Sequence, residues 1–372
     1  MLTSLLLTLA AVGSVTMSTV LHLAVPAPTG QFAVGRTSVL LMDAARDEPA
    51  TPALDDHRRL RLVTWFPAVT GTGDPAPYVE DLDRIADGLI ASGSIGSVEA
   101  LGLGLVRDPA RTGATPALAH PAPVVLLSPG NATNVGFYAA LAEDLASHGF
   151  VVVGIDHPYQ VAAVDLGDAV AVYAGDPPLD QASAVVPARI DERVADVGSV
   201  LDTLERDPSA IVGEAMPLDL TRIGIIGHSN GGVTAAVACA DARLVACVNI
   251  DGQLAGGPLS ARPGPAAPTK PFLYLTKETD LAAPLAALLE AGGPSTYRVV
   301  VPAAMHDTFG DGPMFRPRIL PQANLADDVV TVARGVALAF FDHTLRDASA
   351  GVFRALPAPL DLKIEVYPLT AR

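Results

Sequence analysis

The chain has 372 residues, half of them hydrophobic, which is enough for a large core and excludes a disordered protein. Its formal net charge of −16 excludes nucleic acid as a partner, because phosphate binding wants a basic face. Two cysteines, Cys239 and Cys247, rule out a disulfide scaffold, and no Cys/His cluster has the spacing of a metal site.

Residues 1–35 contain no Lys, Arg, Asp or Glu; the first charge is Arg36. Residues 1–25 form a hydrophobic segment about long enough to span a bilayer, but without the positive start of a secretory signal. Three readings stay open: an uncleaved anchor, an atypical signal, or a helix packed on the globular body. Export or membrane attachment is the expectation, with possible membrane contact through this segment. From residue 26 to 372 the chain reads as one domain without internal repeats.

In chain order, residues 58–68 (RRLRLVTWFPA) alternate polar and apolar and predict an early strand. Residues 78–107 predict one or two helices broken by glycine. APVVLLSPGN (122–131) is a buried strand running into a loop, and residues 137–150 have helical spacing that stops at Gly149. FVVVGIDHPY (150–159) predicts another buried strand, and residues 160–186 a loop-rich stretch with a small hairpin. Residues 189–207 predict an amphipathic helix. Strands then follow at RIGIIG (222–227), 243–251, 271–280 and 296–306, with a final helix near 324–346. Apolar strands alternating with helices predict an α/β fold, a mainly parallel sheet covered on both faces, with the working site beyond the strands' carboxyl ends. Cys239 and Cys247 fall on a helix and the next strand; a bridge is conceivable, but the expectation is two small buried hydrophobes.

Gly227-His228-Ser229-Asn230-Gly231 fits G-x-S-x-G between an apolar strand and a helix. A turn that tight requires small residues two before and two after the serine. It lifts the hydroxyl above the sheet and aims the helix N-terminus at the same point. A serine hydroxyl needs a base, and in this architecture the chain order is Ser, acid, His. Only His306 and His343 follow Ser229. His343 lies in a helical stretch, whereas His306 follows a strand, so His306 is the expected base. The near acids between them are Asp241, Asp251, Glu278 and Asp280, of which Asp241 closes the helix and points away from the site. Asp251 and Asp280 each end a strand, and position alone does not separate them. Two N–H donors must bind the oxyanion: the backbone of Asn230, and that of Asn131 in the LLSPGN loop.

These stretches together resemble the α/β-hydrolases related to plasma-type (isoform II) platelet-activating factor acetylhydrolase and their bacterial relatives. The resemblance is carried by residues 26–49 followed by RLRLVTWFPA, by VVLLSPGN, GIDHPY and GHSNGG, and by VACVNIDG (245–252) and HDTFGD (306–311). It implies Ser229 as nucleophile, His306 as base and Asp251 rather than Asp280 as acid, with no cofactor and no metal. It further implies a serine carboxylic ester hydrolase acting on short acyl esters of small molecules or lipids, acetylated phospholipids among them; a general exported esterase or an acyltransferase is the alternative. Pro129 stands where the family usually has histidine in the oxyanion loop.

Overall fold

A computed structural model describes residues 23–368 apart from 54, 214–215, 255–266, 316–322, 349–351, 354–355 and 357–358. Most of the N-terminal hydrophobic segment, residues 1–22, therefore lies outside the described residues, as does part of the loop predicted over 252–270.

The strands are β1 (Ala33–Asp47), β2 (His57–Ala68), β3 (Asp74–Pro77), β4 (Arg107–Thr112), β5 (Ala122–Ser128), β6 (Val151–Asp156), β7 (Ala163–Asp165), β8 (Val170–Val172), β9 (Leu218–His228), β10 (Leu244–Ile250), β11 (Phe272–Thr276), β12 (Thr296–Val300) and β13 (Lys363–Tyr367). The helices are α1 (Leu82–Ala91), α2 (Ser97–Leu103), α3 (Ala139–Ser147), α4 (Ala182–Arg206), α5 (Ser209–Val212), α6 (Asn230–Ala238), α7 (Ala283–Glu290), α8 (Gly312–Phe315) and α9 (Ala323–Leu345).

All but β7 and β8 join one sheet in the order β13-β12-β11-β10-β9-β5-β6-β2-β1-β4-β3. Its centre, β12 to β6, is parallel, and antiparallel pairings flank it on both sides. Every residue of β5 and β6 is buried, as strands covered on both faces must be. One face packs on α3 and α9 through Leu141, Leu145, Val336 and Phe340. The other packs on α4 and α6 through Val197, Leu201, Val233 and Ala235. Strand order reverses at β5, which lies between β6 and β9, so the crevice for a ligand opens above the carboxyl ends of β5 and β9.

The predicted helices over 78–107 and 189–207, the hairpin and the final helix are all present, the second helix extended to Ala182–Arg206. The two cysteines overturn the expectation of separate buried hydrophobes: Cys239 and Cys247 form a disulfide. The connection from α6 to β10 folds back so that their Cα atoms lie 6.1 Å apart, within bridging range. Sequence spacing does not reveal that fold-back.

Candidate active site

Ser229 sits between β9 and α6 with φ 55° and ψ −123°, a left-handed conformation that a non-glycine residue adopts only when its surroundings compel it. The flanking glycines explain how the turn closes. A Cβ on Gly227 would lie 2.1 Å from the Gly231 carbonyl oxygen, and one on Gly231 would lie 2.1 Å from that of Ser128. Neither position admits a side chain. The Ser229 N–H donates to the Ile250 carbonyl at 2.9 Å, which ties the elbow to the end of β10.

His306 opens a short 3-10 turn (His306–Phe309) six residues beyond the end of β12. Its Nε2 lies 2.9 Å from Ser229 Oγ, and its Nδ1 lies 2.7 Å from Asp251 Oδ2. Asp251 directly follows β10 and is 9 % exposed. Its other oxygen, Oδ1, accepts hydrogen bonds from Thr276 Oγ1 at 2.8 Å and from the Lys277 N–H at 3.2 Å. Burial pushes the Asp251 carboxyl up, but the hydrogen bonds from His306, Thr276 and Lys277 outweigh it, and the net shift is downward. An ionised carboxylate accepts from Nδ1–H, which leaves Nε2 free to take the serine proton.

The structure thus brings Ser229, Asp251 and His306 within bonding reach. Asp280, the positional rival, is exposed and four residues past the end of β11. Asp241 is held by Arg243 at 2.7 Å. His343 lies on α9 and meets the Ala348 carbonyl at 3.2 Å.

The loop after β5 lies against the serine, since a Cβ on Gly130 would be 3.5 Å from Ser229 Cβ. Asn131 follows Gly130 in that loop, and Asn230, the first residue of α6, directly follows the serine. The Asn131 side chain turns outward, its amide donating to Tyr173 and Asp176.

Two further side chains were not marked by sequence reasoning. The Gly130 N–H donates to Tyr138 Oη at 3.0 Å, and the Tyr138 hydroxyl is 2.8 Å from His228 Nδ1. His228 Nε2 is 3.0 Å from the His306 carbonyl, which only accepts, so Nε2 carries the proton and Tyr138 donates to Nδ1. Burial, with the His306 ring beside it, pulls His228 down to about 3, so it is neutral. One chain of hydrogen bonds therefore joins the loop beside Ser229 to the backbone of the histidine. His228 was visible as the x of G-x-S-x-G; Tyr138 carried no signal, being one more aromatic in a helical run.

A cavity of about 280 Å³ opens beside this network, edged by Ser94, Asn131, Thr133, Phe137, Tyr138 and Asp307. Among the described residues no group of His, Cys, Asp and Glu could hold a metal ion, and no helix is long and apolar enough to cross a membrane.

The family described as platelet-activating factor acetylhydrolase, isoform II, matches residues 18–170, which bears out the resemblance over that span. A protein of Arthroderma benhamiae, named as a probable 1-alkyl-2-acetylglycerophosphocholine esterase, is 26 % identical over 312 residues, covering 77 % of this chain and 76 % of that one. The solved structure of a ferulic acid esterase from Streptomyces cinnamoneus superposes with a TM-score of 0.74 at 28 % identity, covering 92 % of this chain and 98 % of that one. The fold is that of an α/β-hydrolase, and the chain is a carboxylic ester hydrolase.

Proposed function

We propose that the protein hydrolyses short acyl esters, acetylated phospholipids among them, through an acyl-enzyme on Ser229. The observation that carries this is the single line of contacts from Ser229 Oγ through both nitrogens of His306 to Asp251. His306 Nε2 takes the hydroxyl proton as Oγ attacks the ester carbonyl, and the same proton then goes to the leaving alcohol. Asp251 fixes the Nδ1–H tautomer and stabilises the imidazolium. The N–H groups of Asn131 and Asn230 bind the oxyanion, and water repeats the sequence on the acyl-enzyme.

The cavity beside Asn131 accepts a short acyl group. Its volume exceeds that of an acetyl group, and its edge carries the hydroxyls of Ser94 and Thr133. That favours a second reading, in which the acyl group is an aromatic acid of the kind the Streptomyces relative is named for. The hydrophobic, charge-free N-terminus and the Cys239–Cys247 bridge both support export or membrane attachment, since disulfides persist in oxidising compartments.

The test is an acyl series of nitrophenyl esters, an acetylated phospholipid and a ferulate ester, assayed on full-length protein in soluble, membrane and exported fractions. Ser229→Ala should abolish turnover of every ester, by about three orders of magnitude or more, while the melting transition persists. Retained turnover removes Ser229 as nucleophile; the preferred acyl group decides between the two substrate readings. Activity confined to the soluble interior of the cell removes the proposal of export.

A further inference from the structure

We propose that Arg193, on α4, is the positioning residue of the oxyanion loop: it grips the Pro129 and Gly130 carbonyls and thereby turns the Asn131 N–H toward Ser229. This rests on the acyl-enzyme reading above.

Arg193 is fully buried. Its Nη1 donates to the Pro129 carbonyl at 2.7 Å. Its Nη2 reaches the Gly130 carbonyl at 3.5 Å and that of Gln160 at 3.3 Å, and its Nε donates to Gln160 Oε1 at 2.8 Å. The contrast with Arg58, equally buried, is informative. Arg58 meets three carboxylates, those of Glu48, Glu192 and Asp196, all within 3 Å. Arg193 spends its donors on main-chain carbonyls and one amide. Taking a guanidinium out of water without a carboxylate in contact is unfavourable. Burial pulls its pKa down to about 10, which still leaves it cationic at neutral pH.

Its position is informative in a second way. The Pro129–Gly130 peptide is held from both sides, its carbonyl by Arg193 and its N–H by Tyr138. In the next peptide, Gly130–Asn131, the carbonyl faces Arg193. A trans peptide points its C=O and N–H in opposite directions. Holding that carbonyl toward α4 therefore turns the Asn131 N–H to the other side of the loop, and a Cβ on Gly130 would come within 3.5 Å of the Ser229 Cβ. A cation on the carbonyl side also polarises the peptide and strengthens its N–H as a donor, so the charge of Arg193 reaches the oxyanion without touching it.

The same helix secures the start of the loop. Asp196, one turn beyond Arg193, lies 2.8 Å from His157 Nδ1, and His157 Nε2 lies 3.0 Å from Ser128 Oγ, all three side chains fully buried. That second Ser-His-Asp line is closed to solvent and serves as an anchor for the end of β5.

The experiment compares Arg193→Met, Arg193→Lys and Tyr138→Phe with the parent protein. Acylation of Ser229 by nitrophenyl acetate, read by intact mass, is measured first on the parent; its absence overturns the functional reading itself. With Ser229 acylated, Arg193→Met should lower kcat about 10- to 100-fold with KM within about twofold. It should weaken binding of a trifluoromethyl ketone, which mimics the tetrahedral oxyanion, by the same factor, and shift the acyl-enzyme carbonyl stretch to higher frequency. Arg193→Lys, which keeps the charge and one donor, should recover part of each effect. Tyr138→Phe should lower kcat several-fold in the same pattern. A folded Arg193→Met that keeps kcat and ketone affinity within about twofold overturns the proposal. Should the Met variant fail to fold, the Lys variant decides on the same readouts: parental values overturn the proposal, and a joint loss supports it.

Discussion

At the scale of single residues, the site is a problem in holding three side chains from three strand ends still. Ser229 is fixed by a backbone that only its glycine neighbours permit. His306 is fixed through its own carbonyl by His228. Asp251 uses one oxygen for His306 and the other for Thr276 and Lys277, so neither is free to rotate away. This predicts an asymmetry between two aspartates that sequence position left equal. Asp251→Asn should cost on the order of 10³- to 10⁴-fold in kcat, because an amide no longer enforces the Nδ1–H tautomer. Asp280→Asn, at an exposed position without a contact to His306, should stay within about twofold. Steady-state kinetics on both variants check it, and the reverse order removes Asp251 from the site. Ser229 and His306 were legible in the sequence because few residues can do their chemistry and chain order prunes the histidines. Arg193 was not. On an amphipathic helix an arginine reads as a solvent-facing charge, and nothing in the 3.6-residue pattern says that this one turns inward.

Elements were legible in proportion to how completely they are buried. β5, β6, β9 and β10 are continuous apolar runs ended by Gly, Pro or Asp, and each was visible as a strand before a loop. β1 and β13 escaped notice. β1 is half exposed along its second part, and β13 shows Ile364 and Val366 at its surface, so neither carries the apolar run of a central strand. The α6–β10 connection hid its disulfide for a related reason: proximity of helix end and strand middle is a tertiary fact. That bridge closes a loop of eight residues at the back of the elbow helix. Removing it should lower global stability by about 2–3 kcal/mol through the entropy of the unfolded chain. Denaturant unfolding of Cys239→Ala/Cys247→Ala against the parent reads this directly. Because the bridge lies at the far end of α6 from Ser229, kcat should remain within about threefold; a large loss of kcat in a protein that is still folded removes that separation.

At the scale of the whole molecule, the core holds ionisable groups whose pulls on stability oppose one another. Burial brings His157 down to about 4 and His228 to about 3. The native state thus refuses protons that the unfolded chain accepts below about pH 6.5, and stability falls as pH drops from there toward 4. Burial pushes Asp156 up to about 6 and Asp311 up to about 8, and raises Glu143 as well. These carboxyls hold protons that the unfolded chain releases above about pH 4, so their stabilisation is present at low pH and is lost as pH rises through the folded values. Between 4 and 6 the two trends offset each other. Above about 6.5 the histidines no longer act, and stability should decline toward pH 8 by up to about 1.4 kcal/mol per pH unit for each carboxyl still protonated. Asp311 acts through the upper part of that range. It is buried against Tyr78, and its Oδ2 accepts the Ala140 N–H at 3.1 Å where α3 begins. Asp311→Asn keeps a group of the same shape without a proton to lose. Melting temperatures of the parent should therefore fall from pH 6.5 to 8, and the variant should fall distinctly less. A parent as stable at pH 8 as at 6.5, or a variant with an unchanged slope, would mean that Asp311 is already ionised in the folded protein.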